Sequence, residues 1–144
     1  MCVLRVEGKQ FDPRMFLERS RLPAYESWLE GGPRLIGAKR WGATHDSSGF
    51  KVDVSRKEWT DLPGQIEDAL RFLEHFRDEL RAIVATPGVE CVWLDFPFAV
   101  RATEHAPFLQ SVFLPPNLLA LAGELGVGIE VSVYPPISER APAG

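Results

Sequence analysis

The stretch from Gln65 to Ala85, QIEDALRFLEHFRDELRAIVA, limits what this chain can fold into more than any other. At a helical repeat, Ile66, Ala69, Leu70, Phe72, Leu73, Phe76, Leu80, Ile83 and Val84 gather on one face. Glu67, Asp68, Arg71, Glu74, His75, Asp78, Glu79 and Arg81 take the other, with Glu67 and Arg71 spaced i,i+4. Asp61 or the Pro63-Gly64 turn opens the helix. Thr86-Pro87-Gly88 closes it, because proline cannot continue a helix. A helix with one wide apolar stripe needs a sheet to lie on, and Phe76 is read as part of that core. Arg77 projects near the stripe's edge, where its stem packs while its head reaches water, or where it pairs with an inward acid such as Asp95.

The remainder of the chain supplies the sheet. Cys2, Leu4 and Val6 alternate with polar neighbours up to Gly8, and Phe50, Val52 and Val54 alternate through 49–55. Residues 91–100, CVWLDFPFAV, form the most apolar strand. Val92, Leu94, Phe96, Phe98 and Val100 share one face; Trp93, Asp95, Pro97 and Ala99 share the other. Cys91, at its start, reads as a small buried hydrophobe. Further strands are expected at Leu35–Trp41, Phe108–Leu114 and Val127–Tyr134. Short helices are expected after Asp12-Pro13 and after Pro115-Pro116-Asn117, the latter closed by Gly126. The rest of Arg21–Gly49 reads as loop.

Three successive β-α-β units predict an α+β fold in two layers. The sheet is mostly antiparallel, of five to six strands, with three helices on one face and ferredoxin-like elements. Residues 1–137 read as a single domain and 138–144 as a flexible tail.

A formal charge of −4 over 144 residues argues against unspecific nucleic-acid binding, which needs a basic surface. The opening MCVLRVEG lacks the apolar run of a signal peptide. No apolar stretch approaches the ~20 residues that cross a bilayer, so a cytoplasmic protein with no membrane partner is expected. Twelve arginines against four lysines point to a GC-rich bacterial source. Cys2 and Cys91, far apart and without metal spacing, are expected to stay reduced.

Little in the chain spells out chemistry. His45-Asp46 resembles an HD metal pair but lacks the further ligands of that chemistry, and His75 and His105 do not converge with it. No metal and no cofactor are expected. Gly123-x-x-Gly126-x-Gly128 runs from helix to strand, the reverse of a dinucleotide fingerprint. No Gly-x-Ser-x-Gly elbow is present, and no catalytic residue is assigned. Should the two strands be neighbours, Asp95, Glu130 and Tyr134 share the outer sheet face, as acid/base candidates or as polar groups that keep the face soluble.

Pro115–Gly126, PPNLLALAGELG, followed by Ile129–Tyr134, IEVSVY, resembles the end of a family of small bacterial α+β domains of unknown function, immunity-protein-like. Leu4–Gly8 with the short helix after it, and Leu70–Leu80, resemble other parts of that family. The resemblance implies an immunity-like or accessory binding role, with a toxin or secretion-system component as protein partner. Tyr25–Ser48 departs from the family pattern, being longer and richer in tryptophan.

That departing segment is the candidate binding region, through Tyr25, Trp28, Arg34, Arg40 and Trp41, since Trp, Tyr and Arg supply interface hot spots. The competing reading has Trp28 and Trp41 folding back to seal the core. The functional expectation is a non-catalytic binding module. A small-molecule enzyme using the outer-face carboxylates and a purely structural assembly subunit are the alternatives, and a homodimer is an allowed state.

Overall fold

The structure is a computed structural model, and it describes residues 1–36, 39–99 and 110–134, with the side chains of 35, 36, 39–41 and 99 outside the description. Val100, His105, the start of the strand expected at Phe108–Leu114 and the tail 138–144 therefore fall outside the described residues.

The fold is α+β. β1 (Cys2–Gly8), β2 (Ala24–Trp28), β5 (Ser48–Ser55), β6 (Val89–Ala99) and β7 (Gly128–Tyr134) form a five-stranded sheet in the order β2-β5-β1-β6-β7. Every neighbouring pair is antiparallel except β6 and β7, which run parallel. β3 (Pro33–Ile36) and β4 (Lys39–Thr44) make a separate two-stranded ribbon. α1 (Pro13–Leu17), α2 (Leu62–His75), α3 (Arg77–Val84) and α4 (Pro116–Leu125) complete the described elements.

The alternation of β1 explains its central place. Cys2, Leu4 and Val6 are fully buried beneath the helices, facing Phe50 and Val52 of β5 and Val92, Leu94 and Phe96 of β6 in one core. Ile66, Ala69, Leu73, Leu80 and Ile83 come down onto this layer from α2 and α3, and Leu118, Ala122 and Leu125 from α4. Asp12 caps α1 by accepting from the Arg14 N–H at 2.9 Å, and Asp61 caps α2 by accepting from the Gly64 N–H at 3.0 Å. Gly126 ends α4 in the left-handed region, φ 72°, where a side chain would be strained.

Several expectations are corrected. The single helix over 65–85 is two helices, because Phe76 leaves helical geometry at φ −103°, ψ 24°. Three expected helices thus become four. Phe76 is partly rather than fully buried, its ring tilted on Phe72 at 4.8 Å. Arg77 Nη1 and Arg81 Nη2 donate to Glu124 Oε1 on α4 at 2.6 and 2.8 Å, so Arg77 does not pair with Asp95. The strand expected at Leu35–Trp41 is folded into the β3–β4 ribbon, and 24–28, expected to be loop, is an edge strand. Residues 110–114 are not strand. Cys91 is exposed, because its place in β6 turns it away from the helices. Val133 shares the helix-side face of β7 with Ile129, yet it is 62% exposed because β7 lies at the sheet's edge.

Candidate functional site

The face of the sheet opposite the helices carries the polar and aromatic residues, and strand register sorts them into three rows. Trp28, Gly49, Glu7 and Cys91 stand opposite one another in the first. Glu26, Lys51, Arg5, Trp93 and Gly128 form the second, and Asp53, Val3, Asp95 and Glu130 the third. Period-two alternation on β1, β5 and β6 sends these side chains outward as surely as it buries Leu4, Val52 and Leu94.

Asp95 and Glu130 are direct neighbours on β6 and β7, as their shared face requires. Asp95 is only 4% exposed. Its carboxylate pairs with Arg5 Nη2 at 2.9 Å and accepts from the Ser132 hydroxyl at 2.6 Å. A hydroxyl has one proton to donate, and the shorter contact takes it. Glu130 Oε1 stands 3.2 Å from the same oxygen. Tyr134 does not join this group but stacks on Trp59, ring centres 5.0 Å apart. The result is an acid already engaged by a guanidinium and a hydroxyl, and among the described residues no imidazole accompanies it. Such an arrangement ties three strands, β1, β6 and β7, together at Asp95.

The aromatic end is built around Trp28. Its ring lies on Gly49, where an added Cβ would stand 2.6 Å from the indole and collide with the Val6 carbonyl. His45 stacks on it at 5.1 Å, and Lys51 Nζ sits 5.4 Å from its centre while pairing with Glu26 at 2.8 Å. His45 also ties the ribbon to its hinge: its carbonyl accepts from the Gly31 N–H at 2.8 Å, and its N–H donates to the Gly32 carbonyl at 2.9 Å. Burial lowers the His45 pKa, and the charges of Arg34 and Lys51 push it the same way against Glu26 and Glu7. Burial, then Asp53 and Glu26, raise that of Tyr25.

Of the expected binding residues, Tyr25 is 54% exposed beside Glu26, where β2 carries a register shift. Trp28 is half-buried on the outer face, so it does not seal the core. Arg34 reaches Asp46 at 3.7 Å across the ribbon. Arg40 and Trp41 lie on β4, their side chains outside the description. Arg5, Lys51 and Ser132 are not among the expected site residues, Trp93 is placed on the outer face without a role there, and His45 is weighed only as a metal ligand. The alternation that buried Leu4 and Val6 was the available signal for Arg5. The indole N–H groups of Trp28 and Trp93 and the Nε of Arg5 are buried with no acceptor among the described residues.

Two clefts formed by described residues lie elsewhere. One of about 470 Å³ opens between α1 and α3, lined by Phe11, Met15, Phe16, Arg19 and Glu79 among others. A second, about 360 Å³, is lined by Leu62, Pro63, Ile66, Phe113 and Pro115. Neither includes Asp95, Glu130 or Ser132. Among the described residues no group of three or more His, Cys, Asp or Glu is placed to hold a metal ion, and no helix is long and apolar enough to cross a membrane.

The model of a family described as "Domain of unknown function (DUF4279)" matches residues 1–136. No curated protein and no solved structure matches the chain.

Proposed function

We propose, from the premise that this chain belongs to the DUF4279 family, that it is a non-catalytic binding module acting through a protein partner. The role is that of a cytoplasmic bacterial immunity or accessory protein, its partner a toxin or a secretion-system component. Residues 1–137 act as one binding unit. The observation that carries this reading is the outer face itself: Trp28, Trp93, Arg5 and Lys51 held in adjacent rows, with exposed Tyr25 at the rim. Trp, Tyr and Arg dominate interface energetics, and a ring already seated on Gly49 loses little freedom on binding.

The test compares capture by the intact chain with capture by Tyr25→Ala, by Lys51→Glu and by Met15→Ser, the last a 62% exposed control on α1. A partner held by the parent and by Met15→Ser but lost by both outer-face variants supports the reading. Capture that ignores Tyr25 and Lys51 overturns it.

A further inference from the structure

The two edges of the five-stranded sheet are built differently. β2 is five residues long and has a register shift between Ala24 and Glu26, a bulge that blunts an edge against further pairing. β7 has seven residues, GIEVSVY, pairs with β6 without a register shift, and contains no proline and no lysine. Among the described residues β6 is its only strand partner. An edge this long and regular leaves a row of backbone donors and acceptors open to another strand.

We propose that β7 pairs antiparallel with β7 of a second copy, joining two five-stranded sheets into one of ten strands. The sequence of the strand is self-complementary about Val131. That register uses all seven residues, setting Gly128 against Tyr134, Ile129 against Val133, and Glu130 against Ser132. A small residue faces a large one, apolar residues meet on the helix side, and each acid meets a hydroxyl on the outer side. Shifting the centre to Glu130 would oppose the two acids directly, which is unfavourable.

The helix above the edge carries a matching surface. Leu118, Ala122 and Leu125 face the core, while Glu124 is drawn towards Arg77 and Arg81 of α3. At 100° per residue, Leu119 falls on the flank opposite Glu124, away from α3 and towards the open edge, and it is 48% exposed. Val133 on the strand below is 62% exposed. In the paired form Val133 gains Ile129 of the second copy as its cross-strand neighbour, and the two α4 helices approach along their Leu119 flanks. This interface lies at the sheet's edge and leaves the outer face free.

Sedimentation equilibrium of the intact chain is expected to give twice the chain mass. Val133→Lys places a charge at the seam and is expected to weaken the dimer roughly tenfold or more while leaving the circular dichroism spectrum unchanged. The register is tested independently in a Cys91→Ser background. Val131→Cys lies opposite itself, within the Cα separation a disulfide spans, and should cross-link under mild oxidation. Val133→Cys would stand ~14 Å from its counterpart and should not. A chain that remains monomeric at sub-millimolar concentration, a dimer indifferent to Val133→Lys, or cross-linking at 133 instead of 131 overturns the proposal.

Discussion

Asp95 sits where a carboxylate is costly unless it is paired, and its two partners come from both neighbouring strands. Removing it leaves the Arg5 guanidinium, already short of an acceptor at Nε, without its carboxylate. Asp95→Ala is expected to cost about 3 kcal/mol, the lower end for breaking a buried pair because Arg5 is 30% exposed. Replacing both Arg5 and Asp95 by leucine should recover much of that loss, and urea midpoints of the parent and the two variants decide it. The outward position of Asp95 and its neighbour Glu130 were legible from alternation. Its partner was not, because salt bridges across strands depend on strand order, which periodicity does not encode. At His45 the prediction concerns pH. Its pKa is lowered in the folded state, so the unfolded chain takes up the proton first, and the contribution of the neutral ring is lost as pH falls below about 6.5. Tryptophan emission followed from pH 8 to 5 should change as the stack on Trp28 loosens, and His45→Gln should flatten that response.

At the scale of elements, α2 and α3 show how a break can hide from the sequence. Neither proline nor glycine marks Phe76, so the apolar repeat runs through it undisturbed. The consequence is a different ranking of core positions. Leu80→Ala, at a fully buried site, should cost about 2–5 kcal/mol, whereas Phe76→Ala should cost less than a fully buried phenylalanine would. Chemical denaturation of the pair measures the difference. Glu124 holds two arginines from α3, yet it is half-exposed, and Glu124→Ala should cost no more than about 1 kcal/mol. Caps were legible because each uses a local signal: Asp12 before Pro13, Asp61 three residues before Gly64, Gly126 after Leu125. The ribbon was not, since β3 and β4 are too short and too rich in charge and glycine to show alternation.

Over the whole molecule, Asp68 and Glu79 govern the response to low pH together with Asp12, which Arg14 also holds below its usual range. The Ser55 hydroxyl and then Arg71 hold Asp68 below its usual range, and Arg21 does the same for Glu79. Both values are depressed on folding, so their stabilisation is complete above pH 4.5 and is lost as pH falls through the folded values. Below the range in which His45 acts, urea midpoints should decline further as pH falls through these values, and Arg21→Ala should make that further decline shallower. The class of the fold was legible as a whole from helix stripe and strand alternation; the order of strands was not, because β1 meets β5 and β6 only through distant contacts. That centrality has a consequence during synthesis. β1 leaves the ribosome with Cys2, Leu4 and Val6 on one face and ahead of both strands it pairs with, β5 and β6. Gly8 must wait for Ser48, and Val3 for Asp95, before the strand is enclosed on both sides. Closing loops of that length comes late in folding, so a nascent chain stopped in α2 would hold a sheet with its centre open on one edge. Stalled chains of that length should bind holdase chaperones, and chains extended past β6 should release them.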